Sequence, residues 1–120
     1  MKTLTDRLFD FLDHSTCCFT AAENICRRLD EAGFIPLAMD EPWPALKPGD
    51  RRYVVKNASA VFAFIVGTDP AAGFKIIAAH SDSPGFRIKP NPEMDGACDV
   101  LRLNTEVYGG PILYTWFDRP

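Results

Sequence analysis

An uninterrupted apolar run, Ile76 to Ala79, constrains the fold of this 120-residue chain more than any other feature. A strand that is apolar on both faces belongs inside a sheet covered on both sides. We therefore predict a strand over FKIIAAHS, residues 74–81, at the centre of a sheet, with His80 at its carboxyl end. Turn-forming residues follow at once in SDSPG, so the strand is expected to stop there.

Two helices are predicted ahead of that strand. Apolar residues recur at helical intervals between positions 4 and 13, and aspartates mark the opposite side, which indicates an amphipathic helix. The second helix is expected in TAAENICRRLDEAGF, residues 20–34. Thr20 followed by Glu23 fits a capping box, and Gly33 supplies a C-terminal stop.

The rest of the chain is rich in β-forming residues. Four prolines between positions 34 and 50 favour a short strand and a loop. Two adjacent runs, Arg51 to Asn57 and Ser59 to Gly67, predict a tight hairpin. Alternating pieces follow at 86–88, 100–103 and 112–114, separated by turn signals at Asn91-Pro92, Asp95-Gly96 and Gly109-Gly110-Pro111. The whole order predicts an α/β fold: two N-terminal helices, a β-hairpin and part of a mixed central sheet.

Composition narrows the class of protein. The chain is 47% hydrophobic and 24% charged with a formal net charge of −3, which is typical of a globular protein, and its length predicts one domain. Lys and Arg are scattered without a basic run, so we expect no nucleic-acid partner. Residues 1–14 do not resemble a signal peptide and no apolar stretch approaches a membrane span, so we expect a cytoplasmic protein without a membrane partner. Four cysteines without C-x-x-C spacing are expected to be reduced thiols.

His80 and Asp82 are the candidate functional residues. At a strand end, two residues separated by one position point to the same side. Two arrangements are then chemically useful: an imidazole that binds a metal and is oriented by the carboxylate, or a histidine base held by it. H-x-D alone is a weak motif, and a structural histidine is the ordinary alternative. His14 is the only other histidine, so the three or four ligands that zinc needs are hard to assemble here.

Other chemistries have little support in the sequence. Ser81 and Ser83 do not lie in a G-x-S-x-G elbow, Cys17-Cys18 has no evident basic partner, and no Gly-rich phosphate loop is present. The remaining acidic candidates lie in turn-rich or alternating segments, where solvated carboxylates are the ordinary explanation: Glu93, Asp95, Asp99, Glu106 and Asp118.

Several segments resemble one family in collinear order. The stretches AAHSDSPGFRIKP and LNTEVYGGPILYTWFDRP are similar to segments of the aspartyl aminopeptidase family of cytosolic metallopeptidases, which shows A-H-T-D-S-P and later Y-G-G and W-F-D-R. FLDHSTCCFTAAENICRRLDEAGF resembles the opening helical region of that family, and RRYVVKNASAVFAFIVG resembles its first hairpin. Nearly the whole chain is covered.

The resemblance implies an enzyme that uses two bridged metal ions, usually zinc, to release N-terminal, typically acidic, residues from peptides. His80 would be a metal ligand and Asp82 the catalytic-site carboxylate that orients it, with Ser81 in place of the common Thr. The remaining family ligands lie downstream of W-F-D-R. Residues 1–120 therefore look like the N-terminal part of a catalytic domain, apparently truncated and inactive alone, in which Asp118 is a structural candidate.

The implied partners are a peptide substrate, the remainder of the catalytic domain and, in the full-length form, further copies of the chain in a homo-oligomer. A second interpretation, from a different class, is a truncated non-catalytic scaffold or interaction module. A third is a stand-alone small binding domain. Unpaired strand edges favour self-association over that third interpretation.

Overall fold

A computed structural model describes residues 3–117, which fall into two compact units that divide between Asp82 and Ser83. The first unit contains helices α1 and α2, strands β1, β2 and β3, and a short 3-10 turn; the second contains strands β4 and β5 and two further 3-10 turns. The helix and strand bounds are α1 Leu4–Asp13, α2 Cys18–Glu31, β1 Ile35–Pro36, β2 Arg51–Lys56, β3 Ala60–Ile65, β4 Gly85–Asp95 and β5 Leu101–Tyr108. Two N-terminal helices and a mixed sheet confirm the predicted α/β fold.

The start of α2 differs from the prediction. Cys17, rather than Thr20, is the N-cap, so the helix begins one turn earlier. Thr20 still satisfies a helix terminus, because its Oγ1 accepts a hydrogen bond from the Cys17 N–H at 3.0 Å. The predicted capping box of Thr20 and Glu23 is therefore wrong, and Thr20 acts instead from the third helical position.

The end of α2 is where the sequence predicts it. Gly33 has φ 79°, a left-handed conformation that glycine adopts without a Cβ penalty. The Gly33 N–H donates to the Asp30 carbonyl, and the Phe34 N–H donates to the Leu29 carbonyl, both at 2.9 Å. This pair of bonds is a Schellman motif, which satisfies carbonyls that the helix leaves unpaired.

Three strands form the sheet of the first unit, in the order β1-β2-β3. The predicted hairpin is confirmed: β2 and β3 are antiparallel, with Arg51 opposite Ile65 and Lys56 opposite Ala60. The turn between them places Asn57 and Ala58 at φ 53°. Residues 57–59 connect the paired Lys56 and Ala60, and positive φ at two successive turn positions matches the twist of the flanking strands. The short strand β1 pairs parallel to β2, which makes the sheet mixed.

The buried part of the first unit is small and lies where α2 meets the sheet. Ala21, Ala22 and Tyr53 are the buried apolar side chains among the described residues. Asn24 is the buried polar one: its Nδ2 donates to the Phe11 carbonyl at 3.2 Å and to Ser15 Oγ at 3.1 Å. These bonds connect α2 to the end of α1 and supply the partners that a buried amide requires.

The strand predicted over residues 74–81 does not form, and this prediction is wrong. Residues 74–84 belong to neither helix nor strand, and Ile76 and Ile77 are 79% and 100% exposed. An apolar run indicates that a segment is suited to burial, but a strand also needs partners along its edges. Among residues 3–117 none pairs with this segment, so its composition alone does not make it a strand.

The second unit is a two-stranded antiparallel ribbon of β4 and β5. Its pairing runs from Gly85 opposite Tyr108 to Asp95 opposite Leu101, with an irregularity between Ile88 and Glu93. The turn predicted at Asn91-Pro92 is this bulge inside β4, where Asn91 has φ 58°. The predicted turn at Asp95-Gly96 does end the strand.

The third alternating piece, residues 112–114, is not a strand. Leu113–Trp116 forms a 3-10 turn, and the Trp116 ring meets the Phe86 ring edge-on at 4.9 Å between centroids. Within the described part of the chain, no helix combines the length and apolar character that crossing a bilayer would require.

Candidate metal site at His80 and Asp82

His80 and Asp82 contact each other at the end of the first unit. The Nδ1 atom of His80 lies 2.9 Å from the Asp82 backbone oxygen and 3.2 Å from Asp82 Oδ1. The two side chains lie together as predicted, but the segment is not a strand, so the strand period from which the contact was predicted is not its cause.

This contact fixes which nitrogen of the imidazole carries the proton. A carbonyl oxygen and an ionised carboxylate can only accept hydrogen bonds, so Nδ1 must donate. In the neutral ring, Nε2 then keeps its lone pair and is the atom available to a metal. A ligating histidine that donates its other N–H to a carboxylate or a carbonyl is the usual arrangement around protein-bound metals.

The pair is open to solvent. The His80 side chain is 79% exposed and the Asp82 side chain 41% exposed. Even exposed ion pairs contribute only about 0 to 1 kcal/mol to stability, so this exposed hydrogen bond matters for the orientation of the ring more than for folding.

The residue between them makes a longer-range contact. Ser81 is half-buried, and its Oγ donates a 2.8 Å hydrogen bond to the backbone oxygen of Ser59, in the turn between β2 and β3. Sequence reasoning noted Ser81 in place of the common Thr but did not predict this bond, because the two residues are 22 positions apart and share no local pattern.

His80 and Asp82 fit one ligand of a zinc site and the carboxylate that orients it. Imidazole nitrogen is a preferred zinc ligand, and the hydrogen-bonded carboxylate orients it. The described residues contain no cluster of three or more His, Cys, Asp or Glu side chains that could hold a metal ion together. His14 lies at the end of α1, where its Nδ1 is 2.7 Å from the Asp10 backbone oxygen.

The other acidic candidates do not converge on a site. Four of them are exposed in the second unit: Glu93, Asp95, Asp99 and Glu106. Asp118, the structural candidate of the W-F-D-R segment, lies outside the described residues.

The cysteines are all free thiols with contrasting environments. Hydrogen bonding to the Thr20 backbone lowers the pKa of the exposed Cys17 thiol. Burial, followed by the nearby Asp30 carboxylate, raises the pKa of the Cys26 thiol. Sequence reasoning expected four reduced thiols and did not predict these different environments, because it did not place Cys17 at the start of α2.

Comparison with known proteins gives one consistent family. The family model described as "Aminopeptidase I zinc metalloprotease (M18)" matches residues 11–120. A "Probable M18 family aminopeptidase 2" of Clostridium novyi is 50% identical over 117 residues, which cover 96% of this chain and 27% of that protein. The protein of the same name from Ectopseudomonas mendocina is 40% identical over 120 residues, covering 98% of this chain and 28% of that one. The chain thus spans about a quarter of the length of these relatives.

Solved structures agree with the sequence relatives. A chain in the cryo-EM structure of the Ape4 and Nbr1 complex matches with a TM-score of 0.81 and 37% identity, over 92% of this chain and 21% of that one. The crystal structure of the M18 aminopeptidase from Thermotoga maritima matches with a TM-score of 0.77 and 29% identity, over 95% of this chain and 24% of that one. The family model covers nearly the whole chain, and both comparisons agree with it, so the chain belongs to the M18 family of zinc metalloproteases.

Proposed function

We propose that this chain is the N-terminal part of the catalytic domain of a zinc aminopeptidase that releases N-terminal, preferentially acidic, residues from peptides. The observation that carries the proposal is the His80–Asp82 contact, which leaves Nε2 of a neutral imidazole available to a metal. Membership of a family of zinc metalloproteases supports the choice of metal. The preference for acidic residues is supported by the resemblance to aspartyl aminopeptidases.

In this proposal the two residues have separate tasks. His80 holds zinc through Nε2, and Asp82 keeps the ring in the orientation and tautomer that ligation requires. Zinc in such a site supplies Lewis acidity and a bound water of lowered pKa. The complete enzyme is proposed to hold two zinc ions, with the remaining ligands supplied by the rest of the catalytic domain.

Because one imidazole and one carboxylate do not complete a zinc site, the 120-residue chain alone is proposed to be inactive. The purified chain should not hydrolyse aspartyl or glutamyl chromogenic substrates, with or without added zinc. Chelator-sensitive hydrolysis by this chain would contradict the proposal.

A chimera tests the proposed activity itself. This chain would replace the matching N-terminal segment of the Clostridium novyi relative, to which it is 50% identical. We expect chelator-sensitive hydrolysis, faster on glutamyl and aspartyl substrates than on leucyl ones. His80→Ala should abolish this activity, and Asp82→Ala should lower it by about 10- to 100-fold, the usual effect of removing a carboxylate that orients a ligand.

The matched control is His14→Ala, because His14 is exposed at the end of α1 and bonds locally. It should leave the activity of the chimera unchanged. A His80→Ala chimera as active as the unmodified chimera would contradict the proposed role of His80.

The cellular setting follows from the same proposal. We propose a cytoplasmic enzyme whose substrates are peptides and whose full-length form is a homo-oligomer, without nucleic-acid or membrane partners. The oligomeric state is measured by light scattering on the chimera.

A second candidate function, a non-catalytic scaffold or interaction module, is favoured by one observation. The β4–β5 ribbon exposes large apolar side chains along its length, including Leu101, Leu103 and Val107, each more than half exposed. A folded, soluble chimera that binds zinc and is inactive on every substrate would favour this second function over the first.

A further inference from the structure

We propose that Ser81 is a positioning residue, which holds the His80–Asp82 pair in place by anchoring it to the turn of the β2–β3 hairpin. The inference rests on the proposed function only where it concerns zinc; the orientation of the imidazole is a property of the chain by itself. From the sequence, Ser81 has no assigned role beyond standing where the family commonly has Thr.

Residues 80–82 make two kinds of contact, one within the tripeptide and one to the hairpin. The residues on either side of it contact each other, His80 Nδ1 to Asp82 Oδ1 at 3.2 Å. Ser81 itself contacts the hairpin, with its Oγ 2.8 Å from the Ser59 oxygen. The tripeptide therefore presents the candidate ligand outward and its anchor inward.

The acceptor belongs to a well-defined part of the structure. The Ser59 N–H donates to the Lys56 carbonyl at 3.2 Å, which closes the hairpin turn. Asn57 and Ala58 complete that turn. The next residue, Ala60, pairs with Lys56, so the Ser59 carbonyl is a fixed point to which a neighbouring loop can be attached.

The tripeptide needs such an attachment because it has little other order. Residues 74–84 lie outside the strands, and His80 is 79% exposed. An exposed pair that is not held in place loses its geometry to side-chain and backbone entropy. The short Ser81 bond lowers that loss, since it restricts the backbone between the imidazole and the carboxylate.

Substitutions at position 81 separate anchoring from folding. Ser81→Ala removes the donor and keeps the size of the side chain small. Ser81→Thr restores a hydroxyl at the same branch position and is the rescue variant. Ser83→Ala is the matched control, because Ser83 is an exposed serine two residues further along.

The experiment is nitrogen-15 NMR of the His80 ring in the full 120-residue chain, at a pH where the ring is neutral. The unmodified chain, Ser81→Thr and Ser83→Ala should show the tautomer protonated at Nδ1. In Ser81→Ala the ratio of that tautomer to the Nε2 one should fall by roughly fivefold, the typical effect of one net hydrogen bond on an equilibrium. Amide spectra of β2 and β3 verify that each variant is folded.

An unchanged tautomer ratio in folded Ser81→Ala would overturn the inference. So would a fall in Ser81→Thr equal to that in Ser81→Ala. Neither result depends on zinc, so a failure here is distinguishable from a failure of the proposed activity. In the chimera, Ser81→Ala should lower kcat by the same rough factor and leave KM unchanged, and Ser81→Thr should restore kcat.

Discussion

Tyr53 shows how one side chain joins the two layers of the first unit. It is 5% exposed in β2, and its hydroxyl donates to Asp30 Oδ1 of α2 at 2.9 Å. Burial, followed by this bond to a carboxylate, raises the pKa of Tyr53 from 10 to about 12. The neutral phenol is therefore favoured in the folded chain.

This shift predicts how stability depends on pH. Because the folded chain holds the phenol proton more tightly than the unfolded chain, the contribution of Tyr53 is fully present below pH 10 and is lost as the pH rises through about 12. The loss should be on the order of 2 kcal/mol, since each pKa unit corresponds to about 1.4 kcal/mol. Urea unfolding between pH 9 and 12 measures this loss of stability in the unmodified chain. The Tyr53→Phe variant, measured in the same way, should not show it.

Tyr114→Phe is the control for that measurement, because Tyr114 is 74% exposed. It should follow the unmodified chain at every pH. Equal pH slopes for the unmodified chain and Tyr53→Phe would contradict the account of Tyr53.

At the scale of elements, signals between neighbouring residues predicted helix positions better than the sequence predicted which segments pair as strands. Helical spacing located α1, and Gly33 located the end of α2, because both depend on neighbouring residues. The apolar run at 76–79 predicted a strand that is absent, because strand formation depends on partners far away in the sequence. The same division holds at the site. The His80–Asp82 contact joins residues two positions apart, whereas the Ser81–Ser59 bond joins distant positions.

The turn of the β4–β5 ribbon gives a prediction at this scale. The Gly96 N–H donates to the Val100 carbonyl at 2.8 Å, and a Cβ on Gly96 would overlap the oxygen of that carbonyl. Gly96→Ala should therefore force the turn apart and cost about 1 to 3 kcal/mol, the usual cost of a steric conflict. Hydrogen exchange of the ribbon amides measures it.

Gly110→Ala is the matched control in the same unit, because a Cβ there meets nothing within 4 Å. The ribbon amides should exchange at their original rates in this variant. If the ribbon amides exchange at the same rates in Gly96→Ala and Gly110→Ala, the close approach at Gly96 does not define the turn.

At the scale of the whole molecule, the described residues bury few side chains for their number. Tyr53 is the largest buried apolar residue among them, while Phe74 and Ile77 are 89% and 100% exposed. The chain also spans about a quarter of the length of its curated relatives. Both observations agree with our proposal that these residues are part of a larger catalytic domain.

The central claim is that His80 is a zinc ligand, and zinc content measures it most directly. Metal analysis of the gel-filtered chimera with the Clostridium novyi relative should give two zinc ions per chain. His80→Ala should retain no more than one, and His14→Ala should retain both. A His80→Ala chimera that is folded and binds as much zinc as the unmodified chimera would contradict the claim.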